Sequence, residues 1–332
     1  MATRWGIASA GKISHDFVTA LATLPVGEHI VIAVAARNLS RAKDFAKLHS
    51  AGKAYGNYEE LANDSDIEVV YVGTVNPHHL EVAKLMLNKG KHVVCEKPLT
   101  MNLKQTTELI DLAKEKDLFL MEAIWSRSFP IYDWIKNEIE SGNLGDIKQV
   151  IVSLGLQLTG VDSFRKKNLG GGTVLDLGVY TIQLASLVYN GEKPISVQAS
   201  GHLDAEGIDN SISATLLYKD GRTATILTHC LVQLPNEAII VGTKGTLRVP
   251  NFWCPTQMIL PSGEIRLITL PESAIPFNFI NSAALRFEAA EVRKCLQAGL
   301  KESPRVTHHD SLLIAGIQDE IRKQIGVKYP VD

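Results

Sequence analysis

"HVVCEKPLT", residues 92–100, is the stretch from which the fold can be read. Val93, Val94 and Cys95 form an unbroken apolar run, as in a parallel strand buried on both faces. Glu96 and Lys97 follow at once, and Pro98 cannot continue a strand ladder. In open parallel sheets, ligands bind beyond the carboxyl ends of the strands. Lys97 is thereby carried to the place where a site would open. The bland alternative is a solvated surface lysine, and the apolar and rigid neighbours weaken it.

Working outward, the same alternation recurs. "WGIASA" (5–10), "HIVIAVAA" (29–36), "IEVVYVGT" (67–74) and "LFLMEA" (118–123) read as further strands. Between them lie helical stretches: one with Ile13, Phe17, Leu21 and Leu24 on a single face, then 39–49, 78–90 and 102–117. Ser40 is a possible N-cap for the second of these, and Gly90 a C-cap for the third. The pattern predicts an α/β Rossmann domain over 1–123, a doubly wound parallel sheet with right-handed crossovers. After it the pattern changes. Helices are expected at 130–145 and, as one long segment, at 172–189. Strands follow at 195–202, 211–218, 222–230, 237–242 and 246–249, with "KDGR" and "GTKG" as turns, and two late helices close the chain. Strands in succession predict a C-terminal α+β domain over 124–332 with a large, mostly antiparallel, open-faced sheet.

Composition excludes several function classes. The 332 residues are 45% hydrophobic and 21% charged, with a net charge of -2. No basic field is available for nucleic acid or an anionic membrane. Cys95, Cys230, Cys254 and Cys295 are far apart, so neither a zinc site nor a disulfide framework follows. Adjacent His308 and His309 do not share a helix face, and no metal is expected. The start lacks the apolar core of a signal peptide, and no run approaches the ~18 apolar residues of a membrane span. A cytoplasmic protein with reduced thiols is the simplest expectation.

The first strand–helix turn, "GIASAGKIS" (6–14), carries a degenerate dinucleotide fingerprint. Its register, Ser9-x-Gly11-x-x-Ser14, keeps only the middle glycine, the one that lies against phosphate. Ser9, Gly11, Lys12 and Ile13 are the expected pyrophosphate contacts, at a helix N-terminus that favours anions. An acid at the end of the second strand would indicate NAD, but this chain has Arg37 there and Arg41 one turn on. Two guanidinium groups suit a 2′-phosphate, which favours NADP. "GTVNPHH" (73–79), with Thr74, Asn76 and His79, and "CEKP" (95–98), with Glu96 and Lys97, both lie at strand carboxyl ends, where ligands bind.

In combination these segments, with "DLGVY" (176–180), "GTKGTL" (242–247) and the closing "ESPRVTHHDSLLIAGIQDEIRKQIG" (302–326), resemble the glucose–fructose oxidoreductase/inositol dehydrogenase family over essentially the whole chain. The resemblance implies that Lys97 lies beside the nicotinamide and the reacting oxygen, and that Asn76 and His79, with Thr74 and Glu96 next to them, line the cofactor side. It implies a catalytic role for Asp176 and proton transfer by Tyr180. Most of the family has His at that last position, so substrate preferences of the His-containing members do not carry over.

The residues themselves agree with those roles. Asp176 and Tyr180 are four apart on an expected helix and would share a face. A phenol with a reference pKa of ~10 is a poor base at neutral pH, and a nearby ammonium favours the phenolate. A core aromatic is the bland alternative for Tyr180, and a core position is the bland alternative for Trp125, Arg127 and Phe279, which could line a pocket around a ring substrate. The expected activity is NADP-dependent oxidation of a ring hydroxyl of a cyclic polyol: an aldose such as D-xylose to its lactone, or a trans-dihydrodiol to a catechol. The alternatives are reduction of a dicarbonyl or an anhydro-ketose, and, remotely, a non-catalytic NADP sensor. The open-faced sheet predicts a homodimer.

Overall fold

A computed structural model describes all 332 residues. The elements run β1 (Thr3–Ala8), α1 (Lys12–Leu21), β2 (His29–Ala35), α2 (Leu39–His49), β3 (Lys53–Tyr55), α3 (Tyr58–Asn63), β4 (Val69–Val72), α4 (His79–Asn88), β5 (His92–Glu96), α5 (Leu103–Glu115), β6 (Leu120–Ala123), α6 (Pro130–Glu140) and β7 (Ile147–Gly155). They continue as α7 (Asp162–Arg165), α8 (Thr173–Asp176), α9 (Gly178–Val188), β8 (Ser196–Leu203), β9 (Asp209–Leu217), β10 (Thr223–His229), β11 (Glu237–Gly242), β12 (Gly245–Pro250), β13 (Gln257–Ile259), β14 (Ile265–Leu267), α10 (Leu285–Gln297) and α11 (His308–Ile325).

Two compact units result. The first comprises Met1–Thr100, Lys104–Ser128 and Leu270–His308. Sequence reading placed the division at 123/124; the unit instead regains a late segment of the chain. Asp16, fully buried on α1, explains the recruitment. Its carboxylate accepts hydrogen bonds from the backbone N–H groups of Asn278 (2.8 Å) and Phe279 (2.9 Å) and from Asn278 Nδ2 (2.8 Å). Helix α10 then packs on α1.

The sheet of this unit has the order β3-β2-β1-β4-β5-β6, with every pair parallel. This is the doubly wound order whose crevice lies between β1 and β4. Strand β3 and helix α3 escaped the sequence pattern because they are short and polar. Asn38, rather than Ser40, caps α2, accepting from Arg41 N at 3.3 Å.

The second unit comprises Met101–Leu103, Phe129–Thr269 and His309–Asp332. Its eight strands run β14-β13-β12-β11-β7-β10-β9-β8. All neighbours are antiparallel except β7 and β10. Helix α9, buried along its whole length, packs on β7 and β10. On the other face Ile151, Thr225, Leu227 and Ile239 stay partly exposed, alternating with buried neighbours. The helical run Lys167–Val188 is long and apolar enough to cross a membrane, yet its apolar window is wholly buried inside the protein, as in a core helix. Helix α9 is not continuous with the segment before it: α8 stops at Asp176, and Tyr180 N bonds Leu177 O at 3.1 Å rather than Asp176 O. Asp176 therefore ends one helix and Tyr180 lies in the first turn of the next, which replaces the regular four-residue spacing expected from sequence.

Candidate active site

In the first unit, the predicted cofactor residues lie at the carboxyl ends of β1, β2, β4 and β5. Ser9 takes φ +107°, a conformation ordinarily left to glycine. It thus does the geometric work of the glycine missing from the fingerprint, at a cost of about 1–3 kcal/mol. Gly11 precedes α1 as its N-cap with no side chain bonding the first turn. Those N–H groups fit a pyrophosphate, since they carry the positive end of the helix dipole. Lys12 is exposed and Ile13 half-buried beside them. Ser14 packs where the third glycine would be. The space it needs is supplied from the opposite side by Gly73, where a β-carbon would overlap Ser14 Oγ.

Arg37 and Arg41 are exposed beyond β2, and Arg41 Nη2 bonds Ala10 O in the phosphate turn at 3.3 Å. Tyr58, which the sequence did not single out, stands near both. Burial pushes its phenol up, while Arg37 and Arg41 pull it down. Together the two guanidinium groups make a cationic patch beyond β2.

The EKP turn is held from several sides. Glu96 Oε1 accepts from Tyr71 Oη at 2.5 Å, and Glu96 Oε2 accepts from Lys97 N at 3.2 Å. The Tyr71 ring stacks on Phe17 of α1, centroids 4.0 Å apart. Lys97–Pro98 is a cis peptide. Leu99 N donates to Glu122 Oε1 at 2.9 Å. Lys97 itself is half-buried. Glu96 therefore acts as a bracket for the turn.

His79 differs from expectation. It is fully buried, with Nδ1 2.8 Å from Pro98 O and Nε2 3.0 Å from Thr74 O. Both ring nitrogens face backbone carbonyls, and a neutral imidazole has one N–H, so His79 donates to either the β4 loop or the EKP turn and is packed between the two. Burial lowers its pKa to about 4, against the pull of the two carbonyls. Thr74 Oγ1 is covered without a hydrogen-bond partner, and Asn76 begins the short turn Asn76–His78.

Trp125 and Arg127 lie in a single turn after β6 and are buried. Arg127 Nη1 bonds Arg305 O (3.4 Å), and Arg305 Nη1 bonds Arg127 O (3.2 Å). Phe279, 48% exposed, lies in the segment anchored by Asp16.

In the second unit, Asp176 and Tyr180 are both buried, at 6% and 9% exposure, on either side of the Leu177 break. The glycines before them have local reasons. Gly172 adopts φ 131°, ψ 152°, a region that β-carbons exclude. A β-carbon there would strike Asp209 Oδ1, and one at Gly171 would meet Phe164 C at 2.7 Å. Close packing against Asp209 and Phe164 is what the geometry requires.

Comparison with known proteins agrees with this architecture. Residues 3–124 match the model of an oxidoreductase family with an NAD-binding Rossmann fold, and residues 132–248 match the GFO/IDH/MocA C-terminal domain. The chain is 50% identical to trans-1,2-dihydrobenzene-1,2-diol dehydrogenase of Danio rerio, covering 100% of this chain and 99% of the relative. It is 43% identical to the enzyme of that name from Sus scrofa, again over 100% and 99%. A 3-ketoreductase from Actinomadura kijaniata, solved with NADP and TDP-benzene, superposes with a TM-score of 0.82 at 25% identity, covering 98% of each chain. Levoglucosan dehydrogenase, solved with NADH and levoglucosan, shares the fold with a TM-score of 0.85 at 21% identity over 98% of each chain. The two matched domains and the full-length identity place the chain in the GFO/IDH/MocA oxidoreductase family.

Proposed function

We propose that this protein is an NADP-dependent dehydrogenase that oxidises a ring hydroxyl of a cyclic polyol, with a trans-dihydrodiol or an aldose such as D-xylose as substrate. The observation that carries this reading is the 50% identity, along the whole chain, to a trans-1,2-dihydrobenzene-1,2-diol dehydrogenase. The turn at Ser9–Lys12 would hold the pyrophosphate by backbone N–H groups, and Arg37 and Arg41 the 2′-phosphate. Bound nicotinamide supplies the hydride acceptor. Tyr180 takes the proton of the reacting hydroxyl, Lys97 favours its phenolate by charge, and Asp176 orients the substrate. A dihydrodiol then yields a ketone that tautomerises to a catechol, and an aldose yields a lactone. The reverse direction, reduction of a dicarbonyl or ketose, uses the same groups; likeness to a 3-ketoreductase favours it as the second reading.

The test pairs NADP+ and NAD+ affinities with turnover of a trans-dihydrodiol and of D-xylose, followed as reduced nicotinamide. Turnover with NADP+ that Tyr180→Phe abolishes, with cofactor affinity kept, is the expected result. Turnover undiminished in Tyr180→Phe overturns the proton-transfer role. A preference for NAD+ overturns the reading of the two arginines. The half-exposed apolar face around Ile151 and Ile239 further supports a homodimer through the sheet of the second unit. Gel filtration showing only monomer at micromolar concentration would defeat that.

A further inference from the structure

We infer that Asp209 is a positioning residue: it fixes the start of the short helix that ends in Asp176. The inference rests on the proposed roles of Asp176 and Tyr180. Asp209 opens β9 and is fully buried. Its Oδ2 accepts from Thr173 Oγ1 at 2.8 Å and from Val174 N at 2.7 Å. Thr173 in turn accepts from Thr228 Oγ1 of β10 at 2.7 Å. One carboxylate thus serves the first turn of α8 as a cap supplied from a distant strand, since Gly172, the residue at the cap position, has no side chain to do so.

The loop ahead of the helix is fastened as well. Tyr329 Oη donates to Gly171 O at 2.5 Å. Its chain segment is held by Asp332, which accepts from Tyr329 N at 2.8 Å and from Arg322 Nη1 at 2.7 Å. Gln318 Nε2 of α11 donates to Val174 O at 2.9 Å. The clamped residues Thr173 and Val174 lie three and two positions before Asp176, the end of α8, and one residue, Leu177, separates α8 from the helix of Tyr180. So short a helix has little internal cooperativity, and its direction is set by what grips its first turn. The position of Asp176 follows from that grip, because a displacement at the first turn is transmitted over a single turn of backbone.

The experiment compares Asp209→Ala, Asp209→Asn and Thr173→Val with wild type and with Tyr180→Phe. Substrate turnover, substrate KM, NADPH affinity by fluorescence titration, and thermal midpoint are read for each. Alanine should lower kcat by about 10–100-fold, as a small misplacement of catalytic groups does, with KM changed less than about threefold. Asparagine keeps one oxygen for Thr173 and Val174 and should recover most of the loss. NADPH affinity should stay at the wild-type value. Should Asp209→Ala not fold, Thr173→Val, which removes one hydroxyl only, carries the same expectation at smaller size. Folded variants with wild-type kcat, alongside an inactive Tyr180→Phe, would overturn the positioning role and leave the proposed function standing. Loss of kcat in step with loss of NADPH affinity and thermal midpoint would overturn it too, reducing Asp209 to a general prop. An active Tyr180→Phe strikes the proposed function first, and this inference with it.

Discussion

Ser14 and Gly73 share one packing space across the β1–β4 crevice: a β-carbon on Gly73 would overlap Ser14 Oγ and come within 3.1 Å of Tyr71 Cε1. In a regular fingerprint the small residue sits on the helix to let it approach the sheet. Here the helix carries a serine and the strand end has given up its side chain instead. Gly73→Ala should therefore destabilise the protein by about 1–3 kcal/mol through overpacking. Ser14→Ala should cost little alone, because Ser14 Oγ is buried without a partner. Combined, the two should lose less than their sum, as expected of contacting residues. Urea unfolding of the four proteins in the cycle measures this; strict additivity would mean that the two sites do not touch.

Arg41→Ala should weaken NADP+ binding about tenfold or more and leave NAD+ within about threefold, since only the former carries a 2′-phosphate for the guanidinium fork. The difference should shrink in high salt, as the residue is exposed. Equal losses for both cofactors would instead assign Arg41 to holding the turn through Ala10 O.

The first unit keeps neutral histidines inside. Burial lowers His29 to about 4, aided by Arg293, and its Nδ1 accepts from Trp5 Nε1 at 3.0 Å. Protonation at Nδ1 would break that bond. A base whose pKa is lowered on folding contributes stability that is present above the unfolded value of ~6.5 and is lost as pH falls from there toward about 4. His29→Gln can accept from Trp5 without titrating. Its urea midpoint should fall less than that of wild type between pH 7 and pH 5. Parallel falls would assign acid lability elsewhere.

Glu288 on α10 has the opposite sign. Both of its oxygens are buried with no hydrogen-bond partner, and burial, then Glu96, push its carboxyl well above the usual range. An acid with a raised pKa contributes stability fully present below the unfolded value, and that stability drains away as pH rises through the folded one. Glu288→Gln removes the titration. The variant should gain on wild type as pH rises from 4 to 8, read as the difference in urea midpoints. A difference that does not vary with pH would show that folding does not raise the pKa of Glu288.

Much of this architecture is legible in the sequence because continuous apolar strands of four or more residues can have few other fates. β1, β2, β4, β5 and β6 were found that way. Lys97 stands out in the sequence because a lysine between an apolar strand and a proline is conspicuous. β3 and α3 were hidden because three and six mostly polar residues have no period to measure. With α3 went Tyr58. The break at Leu177 was hidden because apolar residues run straight through it, and only the clamp at the first turn of α8 distinguishes two helices from one. Asp209 and Glu288 were invisible for a different reason: their roles depend on burial, which an isolated acidic residue in a sequence argues against. His79 was noticed for its motif, but its two carbonyl partners belong to segments 5 and 19 residues away.

The return of residues 270–308 to the first unit also bears on synthesis. The chain passes between its two compact units five times, at 100/101, 103/104, 128/129, 269/270 and 308/309. A ribosome emits the whole parallel sheet early, yet Asp16 meets Asn278 only after some 260 further residues have been made. Until then the carboxylate of Asp16 and the face of α1 that α10 will cover stand without their partners. The nascent protein therefore carries a nearly finished nucleotide fold with one open flank while roughly 150 further residues are made.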